Sequence, residues 1–273
     1  MPRPKVLYVS DLAYPARGRR YCDEDIYLTS RLREAFDLAI AHPKDAAGLM
    51  AGFDTVVVRN SGPVIDYPDA YRHFRERASA TGQRVYNPLT GKADMAGKQY
   101  LVDLTELGFP VIPTVDDLRH LDRLPRVAEY VVKPKAGADS HGLEFVSADD
   151  LTETGTEEDV LVQPKIDFRY EVSFYFVDHD FQYALNAPDP ALRWELARYE
   201  PSRDDLEFAR RFIDWNGLDH GIQRVDACRT REGELLLVEL EDLNPYLSLD
   251  RTSDETRAGF VEAMTASVLR SLG

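Results

Sequence analysis

Between Gln223 and Glu241 the chain alternates apolar and polar residues on either side of a Glu232-Gly233 dipeptide, the pattern of two strands joined by a tight turn. A two-residue turn there sets Asp226 opposite Glu239 and Arg224 opposite Glu241. Side chains two apart on a strand share a face, so Arg224, Asp226, Glu239 and Glu241 gather on one side of the hairpin. Three carboxylates on neighbouring strands repel one another, and a single arginine does not neutralise them. A divalent cation does, and an oxygen-only set of Asp226, Glu239 and Glu241 suits Mg²⁺. The competing reading is a solvated hairpin whose acids merely alternate with Leu235, Leu237 and Val238.

The rest of the chain sets the fold class. Val6–Ser10, Asp54–Arg59 and Arg84–Tyr86 are short apolar runs of the kind that form buried strands. Between them lie helical patterns, one carrying Leu28, Leu32 and Phe36 at four-residue spacing and one around Ala70–Ala80. This alternation predicts a small parallel α/β domain over residues 1–88, closed by Asn87-Pro88. Ligands of such sheets sit beyond the carboxyl ends of the strands. That rule singles out Asp11, Tyr14, Arg59 and Ser61 as groups able to hold the ammonium and carboxylate of a small amino-acid-like molecule.

Further strands are expected at Pro110–Thr114, Tyr130–Lys133, Leu143–Val146, Asp159–Pro164 and Val172–Val177, then a polar loop over Ala187–Arg203. Helices follow at Leu206–Trp215 and after the cap Ser253, the latter with Phe260, Met264 and Val268 on its core stripe. The chain thus reads as α/β (α+β), in three parts: 1–88, 89–165 and 166–273.

Charge narrows the partners. The 273 residues carry 33 Lys+Arg against 48 Asp+Glu, a net of -15, which disfavours nucleic acid and anionic membrane surfaces. The apolar run after the N-terminal Met-Pro-Arg-Pro-Lys is too short for a signal-peptide core or a membrane span. Two cysteines, Cys22 and Cys228, make no disulfide scaffold, and a cytoplasmic protein is expected.

One more pattern runs along the chain. Lys98 is followed by Gly108-Phe-Pro-Val-Ile-Pro-Thr114, then Val131-Val-Lys133-Pro134, the loop Gly137–Gly142, Leu161-Val-Gln163-Pro-Lys-Ile166, Tyr170-Glu171, and finally Arg224-x-Asp226 with Glu239-x-Glu241. Pieces of this kind in this order resemble the ATP-grasp superfamily, from about Asn87 to Leu249. The resemblance implies an ATP-grasp fold and ATP with Mg²⁺ as cofactors. It implies that Lys98 and Lys133 meet the nucleotide phosphates, as point charges on long stems can. The Gly137–Gly142 loop, with Ser140, would close over those phosphates. Gln163, Lys165 and Ile166 would form the hinge that reads adenine, and Glu171 would accept the ribose hydroxyls. Many relatives read Glu-x-Asn at the metal end, whereas Glu239-Leu-Glu241 stands here with Asn244 beyond it, which favours Glu241 over Asn244 as the third ligand.

The implied reaction activates a carboxylate as an acyl phosphate, which an amine then attacks, with Arg224 stabilising the anionic oxygen. Arg193, in the polar loop, would reach the phosphates or the acyl oxygen. Ring closure within one substrate, as in antibiotic biosynthesis, and ligation of two substrates both remain open. So do a catalytically inactive nucleotide-binding protein, a kinase leaving a stable phosphoester, and a homodimer as the assembly.

Overall fold

Short β-branched runs build the first sheet. β1 (Lys5–Val9), β2 (Asp37–Ala41), β3 (Thr55–Val58) and β4 (Val85–Tyr86) pair in parallel in the order β2-β1-β3-β4. β3 is buried at every position, as a parallel strand covered on both faces must be. Helices α1 (Tyr21–Leu32), α2 (Pro43–Leu49) and α3 (Pro68–Thr81) form the crossovers. The sequence pattern misses β2 and α2, because Asp37–Ala41 is a partly exposed edge strand without a continuous apolar run. α1 also stops at Leu32, and Phe36 enters the core from the turn beyond it. This computed structural model describes residues 2–14, 21–59, 67–135, 142–151, 160–189, 192 and 195–273.

Two antiparallel sheets follow. After α4 (Tyr100–Glu106) come β5 (Glu129–Pro134), β6 (Glu144–Ser147), the short α5 (Ala148–Leu151) and β7 (Val160–Pro164), paired as β6-β5-β7. The third sheet has the order β10-β9-β8-β11-β12. Its strands are β8 (Phe168–Val177), β9 (Asp180–Ala187), β10 (Ala197–Tyr199), β11 (Ile222–Thr230) and β12 (Leu235–Glu241). α6 (Arg203–Asn216) opens on a Ser202/Asp205 capping box and ends at the left-handed Gly217. α7 (Asp254–Leu272) is capped by Ser253, as expected.

The expected loop 187–203 contains β10, and β9 precedes it, entered through a two-residue reversal at Asp178-His179 with Asp178 at φ 56. The expected strand at Pro110–Thr114 is instead an extended clasp. Val111 bridges Leu237 and Val115 bridges Val162, so the segment ties the β12 edge to the β7 edge. Pro110 and Pro113 lack the N–H groups that a full ladder needs.

The three sheets occupy residues 5–86, 129–164 and 168–241, but their cores are not separate. α7 lies against α1, β8 and β9, and Phe260, Met264 and Val268 join Val6, Tyr8, Leu28 and Tyr183 in one apolar cluster. Among the described residues no helix is long and apolar enough to cross a membrane.

Candidate functional site

The acidic hairpin reaches its register by two compensating departures from the sequence reading. Arg224 stands opposite Glu241 and Asp226 opposite Glu239, as expected. The turn, however, is a three-residue loop of Arg231, Glu232 and Gly233, closed by Thr230 N–H donating to Glu234 O, with Gly233 at φ 100. Pairing beside that loop is one residue out of the expected register. Val238 then bulges from β12 between the Ala227–Leu237 and Asp226–Glu239 pairs and restores it.

On the shared face the charges interlock. Arg224 Nη2 donates to Asp226 Oδ2 at 2.8 Å and to Glu241 Oε1 at 2.5 Å, while its Nη1 donates to Tyr246 O at 2.7 Å. Ser173 Oγ donates to Asp226 Oδ1 at 2.6 Å. Lys98 Nζ lies 2.8 Å from Glu239 Oε1. Lys98 sits in the turn before α4. Burial alone would raise Glu239, but Lys98 and Lys133 hold it below the usual carboxylate range. Glu241 is pushed up to about 8 by burial, with Asp226 and Glu239 adding to the effect against Arg224. Lys133 is pushed down to about 8 by burial and by the neighbouring Lys98.

The donor chemistry of Asp226, Glu239 and Glu241 fits a hard divalent cation. Their geometry is not a preformed cage: among the described residues no group of three or more His, Cys, Asp or Glu side chains is placed to hold a metal. The acids turn toward Arg224 and Lys98 instead, so a metal there would require those cations to release them.

A second acidic pair, which sequence reasoning missed, fixes this arrangement. Asp242 is fully buried and accepts from the N–H groups of Ala93 at 3.1 Å and Met95 at 2.8 Å, and from Asn216 Nδ2 at 3.0 Å. Asp94 Oδ1 accepts from Asp242 N–H at 2.6 Å and Leu243 N–H at 2.9 Å. These bonds stitch the turn that carries Lys98 to the end of β12. Gly91 is required there, because a Cβ at that position would stand 2.2 Å from Asp242 Oδ2. The available signal was Asp242 itself, an acid extending a run that already carried two.

The expected nucleotide residues divide between the two antiparallel sheets. Val131 pairs with both Phe145 and Gln163, so these three share a face, and Lys133, two residues on, lies on the same side. Gln163 is buried and its Nε2 donates to Thr114 Oγ1 at 2.8 Å. Its side chain is therefore engaged in the clasp, and Lys165 N–H donates to Glu129 O at 3.1 Å. Lys165 is half exposed, 2.5 Å from Glu129 Oε2, with its ammonium 5.2 Å from the centre of the Phe145 ring. Phe145 is 60% exposed, a missed residue whose signal was a large apolar side chain in a polar strand. Ile166 is half-buried just after β7. On β8, Glu171 is two residues from Ser173 and opposite Cys228, which puts it on the Asp226 face. Burial and Glu171 push the Cys228 thiol up to about 12, the behaviour of an inert buried cysteine. Gly142 takes φ 71 beside Pro134. Gly137, Ser140, Ser61 and Arg193 lie outside the described residues.

The substrate-side expectations fare unevenly. Asp11 lies two residues beyond β1, buried, accepting from Ala13 N–H at 2.9 Å and Tyr67 OH at 2.5 Å. Tyr14 stacks on Tyr21 with centroids 5.6 Å apart, and Tyr21 meets Tyr246 at 4.4 Å, so this aromatic run ends at the residue that holds Arg224. Arg59 does not face a cleft. It is 1% exposed and ion-paired with Glu24 at 3.0 Å, because a charge at the end of a buried strand needs a buried partner.

No family model matches the chain. Solved structures do. The ATP-grasp ligase PsnB, bound to a minimal precursor, superposes with a TM-score of 0.65 over 97% of this chain and 99% of that one, at 17% identity. The chain has the ATP-grasp fold. Within this fold it is also similar to D-cycloserine synthetase DcsG, with a TM-score of 0.76 over 98% of this chain and 99% of that one at 21% identity. D-alanine–D-alanine ligase from Bacillus anthracis, complexed with ATP, matches with a TM-score of 0.67 at 13% identity, covering 100% and 99% of the two chains. By sequence, the cycloserine biosynthesis protein DcsG of Streptomyces lavendulae is 26% identical over 239 residues, 74% of this chain and 79% of its own length. One antiparallel sheet brings Lys133 and the other the acids, and Lys98 pairs with Glu239 between them.

Proposed function

We propose that this ATP-grasp protein is an ADP-forming carbon–nitrogen ligase that uses Mg-ATP to activate the carboxylate of a small amino-acid-like molecule for amide-bond formation. The observation that carries this is the ion pair of Lys98 with Glu239, beside the Arg224–Asp226–Glu241 cluster and within electrostatic reach of Lys133. Cations suited to phosphate and acids suited to a metal are thereby held in one place.

Lys98 and Lys133 would take the phosphates, and Lys98 would leave Glu239 to do so. Asp226, Glu239 and Glu241 would hold Mg²⁺, which would supply positive charge to neutralise the phosphates. Val131 and Phe145 would line the base, the backbone of Gln163–Ile166 would read its edge, and Glu171 would accept the ribose hydroxyls. The Gly137–Gly142 loop would cover the phosphates. Arg224, released from its acids, would stabilise the oxygen that becomes anionic as an amine attacks the acyl phosphate.

Similarity to D-cycloserine synthetase favours ring closure within one molecule. Similarity to D-alanine–D-alanine ligase supports joining two molecules as the second reading. A panel of amino acids and their derivatives, assayed singly and in pairs for ADP and phosphate release, separates them. One compound that releases both and loses water in its mass spectrum supports ring closure. A strict need for two supports the second reading, and a stable phosphoester without inorganic phosphate overturns ligation.

A further inference from the structure

We infer that Glu24 and Arg59 are positioning residues for Arg224, acting across the fold through the backbone that follows β12. The inference rests on the role of Arg224 proposed above. Glu24 lies on α1 and is 6% exposed, and Arg59 Nη2 donates to its Oε1 at 3.0 Å. The same carboxylate accepts Leu247 N–H on Oε1 at 3.0 Å and Leu249 N–H on Oε2 at 3.3 Å. Both oxygens thus grip one short turn, in which Ser248 takes φ 53, a left-handed conformation that a non-glycine side chain adopts only when held there. One residue upstream, Tyr246 offers its carbonyl to Arg224 Nη1. Arg224 therefore has three anchors, Asp226, Glu241 and Tyr246 O, and the last is placed from the N-terminal sheet.

Packing alone does not account for this network. A buried ion pair is costly to desolvate, and apolar residues of the same volume often stabilise a fold more. Among the described residues Arg59 Nε, moreover, is buried without a hydrogen-bond partner, so these contacts do not arrange the pair for maximal stability. A carboxylate does what no apolar group can: it sets two backbone N–H groups at a defined spacing. If Asp226 and Glu241 turned to hold a metal, Tyr246 O would be the anchor left to keep the guanidinium in place. Arg59, in turn, orients the carboxylate that grips the turn.

A double-mutant cycle tests the relay. Glu24→Gln preserves size but removes the charge that serves Arg59 and both N–H groups. The readouts are ADP release from Mg-ATP, with water as acceptor or with the substrate found by the panel, and affinity for a non-hydrolysable ATP analogue with Mg²⁺. The expected result is a turnover loss of about tenfold with analogue affinity within about twofold, and little further loss when Glu24→Gln is added to Arg224→Lys, since coupled residues are not additive. Equal losses in both backgrounds, or unchanged turnover in Glu24→Gln, overturn the relay. If Glu24→Gln does not fold, Tyr183→Phe enters the same cycle. It removes the hydroxyl that donates to Leu247 O at 2.6 Å and keeps the ring stacked on Tyr175. Full activity in Arg224→Lys alone overturns the proposed reaction role of Arg224 instead, so the two failures are distinct.

Discussion

Lys98 Nζ stands 2.8 Å from Glu239 Oε1, so a cation whose chemistry suits phosphate neutralises an acid whose chemistry suits a metal. Two opposite charges held in a partly desolvated site each lose a partner when only one ligand arrives. In the proposed reaction phosphate would attract Lys98, and a metal would then replace its charge at Glu239. The two ligands therefore assist one another. Mg²⁺ with ATP is expected to raise the melting temperature by more than the sum of the separate effects. The stabilisation is about 2.7 kcal/mol at a hundred times the dissociation constant. Equal stabilisation by ATP in EDTA rules out the proposed metal role of the hairpin.

Glu239→Gln keeps side-chain volume and the β12 register while removing the charge that pairs with Lys98. Turnover is expected to fall by on the order of a hundredfold, since a metal contributes several kcal/mol to transition-state charge stabilisation. Circular dichroism is expected to be unchanged. Near-normal turnover in this variant moves the metal elsewhere.

Burial raises both Glu24, to about 7, and Glu241, to about 8, from an ordinary 4.5. Between pH 4.5 and those values the folded chain binds more protons than the unfolded one, so stability falls as pH rises through that window. Denaturant midpoints of the ligand-free protein are expected to drop from pH 5 toward pH 8, and Glu24→Gln flattens the part below about 7. Affinity for Mg-ATP runs the other way, strengthening toward pH 8, because Glu241 must lose its proton to meet a cation. A midpoint that rises with pH across this window contradicts both assignments.

The hairpin shows how far sequence patterning reaches. Alternation places Asp226 opposite Glu239 correctly, yet the turn is longer than Glu232-Gly233 suggests and Val238 absorbs the difference. A bulge leaves the residue types of a strand unchanged, so periodicity does not register it. The buried strand β3 is legible because all its residues are apolar or β-branched, whereas the edge strand β2 is not. Arg59 ends β3 at a position where ligands commonly bind, but its partner Glu24 is 35 residues away in sequence. Asp94 and Asp242 are likewise joined across 148 residues. Pairings that only tertiary contact creates decide which charges remain for a ligand.

Phe145 provides the last test, because its exposure has no explanation in packing. It is 60% exposed on the face that carries Val131 and Lys133, with the Lys165 ammonium against its ring. An exposed aromatic ring on the face of the lysine proposed to meet the phosphates offers a flat apolar surface to a base, and stacking of this kind contributes about 1–3 kcal/mol. Phe145→Ala is therefore expected to weaken binding of a non-hydrolysable ATP analogue by about tenfold or more. An exposed side chain adds little to the core, so the melting temperature of the ligand-free protein stays within about 2 °C. Phe145→Leu, which retains bulk without the π face, should fall between the two. At saturating ATP, turnover in Phe145→Ala should match the parent, since the lost contact is made equally in ground and transition states. Calorimetric titration of the three proteins with the analogue and Mg²⁺ decides it: equal dissociation constants place the base elsewhere on the sheet.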